Sequence, residues 1–169
     1  MMPSQLLGSW SFTRSIAEHR TGARYRAHGT ARFSPATGGR VRWFEEGVLT
    51  TDGGSRPFTR TLFLVPGAQG WTVTFEDGRF FHPWVDGRVT HLCGRDTYRG
   101  DIAGPQSSGA GNCGTQSSDT GIHGAGSSGT GVDQDREPAS CDAGWQITWT
   151  VSGPHKDYTM TTGYRPITE

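Results

Sequence analysis

Lysine is almost missing from this chain. Of its 16 basic residues only Lys156 is a lysine. Arginine-biased codon usage accounts for most of that imbalance, but it also marks position 156 as one where an amine is kept. Net charge is missing too, because 16 acidic residues cancel the 16 basic ones. Proteins that hold nucleic acid through phosphate contacts carry a basic surplus, so no nucleic-acid partner is expected. No stretch approaches the ~20 apolar residues of a membrane-spanning helix, and residues 1–10 show no basic segment running into an apolar signal-type core. The expectation is a cytoplasmic protein with no membrane partner. Cysteine is scarce. Cys93, Cys113 and Cys141 are odd in number and show no C-x-x-C spacing, which excludes a disulfide framework and argues against a structural zinc site. Nucleophile elbows, phosphate loops and zinc-helix motifs are absent, so hydrolase, kinase and nucleotide-dependent chemistry fit poorly and no cofactor is expected.

Aromatic residues are absent from one long stretch. Between Asp101 and Ala143 there is no Phe, Trp or Tyr, and the segment is rich in Gly, Ser and Thr. Such a composition cannot bury enough apolar surface to offset its ordering entropy. It is expected to be a disordered insertion, 101–143, joining two blocks, 1–100 and 144–169, of a single domain. Cys113, His123 and Cys141 lie in it, and so floppy a frame makes a poor metal site.

What is present is alternation. No helical period is sustained outside the insertion. Short apolar/polar alternations are punctuated by Gly, Pro and Asp-Gly. Nine strands are expected, over 8–16, 24–34, 39–50, 56–65, 71–76, 79–85, 88–99, 145–152 and 156–165. That pattern belongs to an all-β antiparallel sandwich or barrel.

Asp77-Gly78 and Asp86-Gly87 are both two-residue hairpin signals. Counting outward from them pairs Trp71 with Trp84, Val73 with His82, Phe75 with Phe80, and then His82 with His91. One face then collects Trp71, Val73, Phe75, Phe80, His82, Trp84, Val89, His91 and Cys93. His82 and His91 would be direct cross-strand neighbours, their Cβ atoms ~5 Å apart on a buried face. In 39–50, Glu45 shares a face with Val41 and Trp43 and would be a buried acid. In 145–152, Trp145, Ile147, Trp149 and Val151 read as inward. In the last strand Lys156, Tyr158 and Tyr164 share a face. A one-residue bulge at Gly94 would turn Asp96 and Tyr98 inward beside them.

Gly8-x-Trp10 at the first strand, with Arg165 closing the last one, resembles the calycin superfamily, the lipocalins and their relatives. "FEDGRFFH", "HLCGRDTY" and "WTVSGPHKDYTMTTGYR" are similar to segments of the uncharacterised calycin-like domain-of-unknown-function family 6314. The resemblance covers most of both blocks. It implies an antiparallel calycin/lipocalin-like β-barrel of about 8–10 strands, which can hold one small ligand. It implies no activity, and the Gly/Ser-rich insertion departs from the compact family pattern.

The candidate interior set is Glu45, His82, Trp84, His91, Cys93, Asp96, Tyr98, Trp149, Lys156 and Tyr158, with Arg14 beside it. Each member has a plain structural role to set against a functional one. His82 and His91 satisfy each other, or polarise a ligand, or share a metal ion as weak candidates. Cys93 serves better as a small core residue than as a nucleophile. Asp96 anchors a loop or pairs with Lys156 or a histidine. Lys156 belongs to an ordinary turn or points inward. Tyr98 and Tyr158 line the barrel. Trp10 and Arg165 are structural, as a cation–π closure of one barrel end. Two functions follow. One is a binding protein for a small apolar or mixed-polarity molecule bearing acceptor groups. The other is a cofactor-independent acid–base isomerase, cyclase or decarboxylase drawing its catalytic groups from His82, His91, Asp96, Lys156 and Tyr158. The sequence assigns no oligomeric state.

Overall fold

The computed structural model describes residues 1–104 and 144–168. They form ten strands: β1 (Gly8–Glu18), β2 (Arg24–Pro35), β3 (Val41–Thr51), β4 (Gly54–Gly67), β5 (Gly70–Phe75), β6 (Phe80–Trp84), β7 (Gly87–Cys93), β8 (Asp96–Ala103), β9 (Trp145–Ser152) and β10 (Asp157–Pro166). Every hydrogen-bonded neighbour is antiparallel, in the order β6-β5-β4-β3-β2-β1-β10-β9-β8-β7. The sheet curls into a nearly closed barrel whose two edge strands, β6 and β7, share no ladder. Among the described residues no helix is long and apolar enough to cross a membrane.

Alternation places the core. In β9 Trp145, Ile147, Trp149 and Val151 are buried while Gln146 and Thr150 are exposed. Ala31 and Phe33 of β2, Trp43 of β3 and Leu62 and Leu64 of β4 join the same interior. The end where β1 begins is plugged. A single 3-10 turn, Pro3–Leu6, carries a fully buried Leu6 into it. The Trp10 indole N–H donates to the Leu6 carbonyl at 2.7 Å, and that of Trp84 to the Met1 carbonyl at 3.0 Å. Above this plug Trp145 stacks on Tyr164 with ring centres 3.9 Å apart, Phe33 stacks on Trp43 at 5.3 Å, and Trp43 meets Trp84 edge-on at 6.3 Å. Each such pair adds about 0.5–1.5 kcal/mol beyond its area burial. At the opposite end the described residues provide no such cover, and Leu49, Phe58, Tyr158 and Met160 are only partly buried.

Four expectations need correcting. Residues 88–99 are not one bulged strand. Gly94, at φ 64°, and Arg95 form a two-residue turn that pairs Cys93 with Asp96, so there are ten strands rather than nine. Asp96 and Tyr98 are buried as expected, but a chain reversal puts them there. Asp86-Gly87 closes no hairpin ladder, because the chain crosses there from one edge of the sheet to the other. Third, the register around Asp77-Gly78 holds at Trp71–Trp84 and Val73–His82, then slips, so that Thr74 pairs with Phe80 and Phe81 is the extra residue. Phe80 is therefore exposed and Phe81 packs on the core, the reverse of the expected faces. Last, Asp101–Ala103 complete β8 and are no part of an insertion. The remainder of the expected insertion, 105–143, lies outside the described residues, as do Cys113, His123 and Cys141.

Candidate functional site

A charged cluster lies at mid-height in the barrel. Glu45 of β3 is fully buried. Arg14 of β1 reaches it across β2 and donates from one Nη2 to both carboxylate oxygens, at 3.1 and 2.8 Å. The Arg14 Nε donates to the Thr162 hydroxyl at 2.8 Å. Tyr164 of β10 donates its hydroxyl to Glu45 Oε1 at 2.5 Å. Arg60 stands opposite Glu45 on β4, its Nη2 2.9 Å from Glu45 Oε2. Burial alone would raise the Glu45 carboxyl, but Arg60 and Arg14 outweigh it and hold the group below the usual glutamate range. Burial and then the Glu45 charge push the Tyr164 hydroxyl well up. One carboxylate thus serves two guanidiniums, and the cluster carries a positive surplus.

Arg60 is the less committed of the two arginines. Its side chain keeps 30% of its exposure, against 7% for Arg14. Its guanidinium lies 5.3 Å from the centre of the Trp43 ring. Its Nε is buried with no hydrogen-bond partner, and the same is true of the indole N–H groups of Trp43 and Trp145. Those two rings are 5.8 Å apart. Among the described residues the orphaned buried side-chain polar atoms are therefore all donors, on three side chains in contact. Leaving each one unmet costs about 1–3 kcal/mol.

His82 supplies the complementary acceptor. It is 1% exposed, and its Nδ1 lies 2.8 Å from the Pro83 carbonyl. A carbonyl only accepts, so Nδ1 carries the proton. Burial, only partly offset by that hydrogen bond, lowers the imidazole to about 4. The ring is neutral at pH 7 and Nε2 is a free lone pair, with no hydrogen bond among the described residues. Its walls are Trp149, with ring centres 4.9 Å apart, and Phe81, at 4.7 Å. Trp149 can lie there because position 100, its partner on β8, is glycine. A Cβ at Gly100 would come within 2.6 Å of Val89 and 2.7 Å of the indole.

A second polar group lies towards the unplugged end. Lys156 donates from Nζ to the Tyr98 hydroxyl at 2.5 Å and sits over that ring. This hydrogen bond raises the lysine. Burial and then the neighbouring Tyr98 push the Tyr158 hydroxyl up. Asp96 is buried and accepts the His155 backbone N–H at 3.1 Å.

The structure therefore divides the expected set. Glu45, Arg14, His82, Asp96, Tyr98 and Trp149 lie in the interior. Tyr158 is half-buried, and Lys156 is exposed and reaches in only with its amine. His91 is not the ladder partner of His82. It pairs with Tyr98, is half-buried, and packs edge-on against Phe81 at 5.9 Å, because β6 and β7 meet across the seam without a ladder. Cys93 is exposed beside the turn, not in the core. Trp84 is tied to Met1 at the plugged end and packs on Trp43 and Trp145. Arg165 is exposed on the outer face opposite Ser11 and makes no stacking contact with Trp10, which instead packs on Trp145. No group of three or more His, Cys, Asp or Glu able to hold a metal ion occurs among the described residues. Arg60, Thr162 and Tyr164 were missed. Arg60 was legible, since Asp52-Gly53 carries the same Asp-Gly signal as the other two and does close its ladder, and counting back from it sets Arg60 opposite Glu45.

The family model that matches the chain is described as a family of unknown function (DUF6314), and it aligns with residues 6–109 and 133–166. No curated protein matches significantly.

Proposed function

The chain belongs to the DUF6314 family of unknown function, and on that premise we propose that its calycin-like barrel is a container for one small molecule, entered from the end opposite the Pro3–Leu6 plug. The carrying observation is the set of unmet buried donors on Arg60, Trp43 and Trp145. A finished core satisfies its buried polar groups, and this one leaves three donors unmet, with a free imidazole lone pair on His82. A guest with an acceptor group and an apolar body completes both the hydrogen bonding and the packing. His82 then orients the guest by accepting a hydrogen bond, and Trp149 and Phe81 supply apolar walls.

Native mass spectrometry of the protein from its own host, with metal analysis of the same sample, is the first test. It is paired with titration by the neutral environment-sensitive probe N-phenyl-1-naphthylamine. A one-to-one bound mass, or saturable probe uptake that is weakened by His82→Ala, is the expected result. An empty protein that also excludes the probe overturns the container reading.

A second reading rests on the Lys156–Tyr98 contact and the free Nε2 of His82, whose ring and that of Tyr98 both pack on Trp149. A neutral imidazole base and a lysine-polarised phenol in one apolar enclosure suit cofactor-independent acid–base chemistry. In that case His82→Ala leaves binding of the identified molecule intact and abolishes its turnover.

A further inference from the structure

The container reading leaves open what kind of molecule enters, and the charge balance of the interior narrows it. This inference rests on that reading. Arg14 is the more committed: Nη2 donates to both oxygens of Glu45 and Nε to Thr162, and its side chain is buried. Arg60 is different. It meets Glu45 through Nη2 alone, at 2.9 Å, and its Nε is an orphan. A guanidinium has five N–H donors in a planar fork. Here that fork sits where solvent still reaches, beside an interior whose own carboxylate is already shared with Arg14 and Tyr164. Arg60 is the ladder partner of the fully buried Glu45 and lies against the Trp43 ring, so it shares the inward face of the sheet.

We propose that Arg60 is the receptor for an oxyanion, and that the barrel's ligand is a small amphiphile with a carboxylate- or sulfonate-type head on an apolar body. The head accepts from the unused edge of the Arg60 fork and balances the positive surplus left by two guanidiniums on one Glu45. The apolar body lies among Phe58, Met160 and Trp149. Arg60 would bind rather than merely structure, because the ion pair with Glu45 occupies only one of its nitrogens.

The test uses two probes with the same aromatic frame. 1-Anilinonaphthalene-8-sulfonate carries an oxyanion, and N-phenyl-1-naphthylamine does not. Both are titrated into the full chain by fluorescence, in competition with one another and over a range of salt. The anionic probe is expected to bind about ten- to a hundredfold more tightly, the scale of a charge-assisted hydrogen-bonded contact. Arg60→Gln should remove that preference while leaving the neutral probe's affinity within about twofold, which also shows that the variant is folded. Arg60→Lys should restore part of the preference, since it keeps the charge and loses the fork. Equal affinities for the two probes, or a preference that survives Arg60→Gln, overturns the oxyanion assignment while the container reading stands. Failure of both probes to enter the wild-type protein overturns the container reading itself.

Discussion

Replacing Glu45 by Gln tests the interior most directly. The side chain keeps its shape and one carbonyl acceptor but loses its charge. Arg14, 7% exposed, is then a buried cation with no counter-charge, while Arg60, at 30%, can turn towards water. Removing one partner of a buried ion pair costs about 3–5 kcal/mol. Relaxation of Arg60 places the expected loss near the lower bound, about 3 kcal/mol at pH 7. With a urea m-value of about 2 kcal/mol/M, the midpoint should fall by about 1.5 M. The loss should depend on pH in a definite direction. Glu45 is held below its ordinary value in the folded protein, so its contribution is complete above the unfolded carboxyl pKa and is lost as pH falls through the depressed folded one. Wild type and Glu45→Gln should therefore converge in strong acid. Urea titrations at neutral and acidic pH supply both numbers. A loss below ~1 kcal/mol at pH 7, or one that stays constant into acid, would refute a buried, ionised, doubly paired Glu45. Adding Arg14→Met to Glu45→Gln should recover part of the loss, because the stranded cation is then gone.

Two further outcomes follow. His82 is neutral and lowered to about 4, so the unfolded chain takes up a proton below its ordinary pKa that the folded chain refuses. Stability should fall between about pH 6.5 and pH 4 by up to about 3 kcal/mol and level off below; His82→Gln should flatten that window, and a histidine proton resonance still titrating near pH 6.5 at position 82 would sink the assignment. Gly100→Ala should cost about 1–3 kcal/mol in chemical denaturation and shift the Trp149 emission, since the new methyl meets Val89 and the indole; an unchanged midpoint would show that the indole does not lean on β8.

The faces of the strands were legible because a pleated strand sends alternate side chains to opposite sides. Glu45, sharing a face with Trp43, had to be inside, and so did the alternating Trp145, Ile147, Trp149 and Val151. Register is legible where a two-residue Asp-Gly turn closes the ladder, as at Asp52-Gly53, where Thr51 pairs with Gly54; around Asp77-Gly78 the Val73–His82 pair comes out right because the bulge at Phe81 offsets a longer turn, in which the Phe75 N–H donates to the Arg79 carbonyl. It failed at Asp86-Gly87, whose turn signal is genuine as a chain reversal but carries no information about whether hydrogen bonding continues past it. The same limit hid the Gly94-Arg95 turn, where a single glycine resembled a bulge. The actual bulge fell at Phe81, where neither Gly nor Pro marks it, and it exchanged the faces of Phe80 and Phe81.

Sequence alone determined an all-β antiparallel fold, an aromatic interior and a buried acid at position 45, because those depend on period-2 patterning and on composition. Only the tertiary structure decided that β6 and β7 are the two edges of one curled sheet, that His82 and His91 are therefore not paired, and that Arg14 and Tyr164 converge on Glu45 from β1 and β10. Those outcomes depend on accumulated twist and closure over ten strands, and on which distant strands that closure brings across the lumen. No local stretch of sequence encodes them.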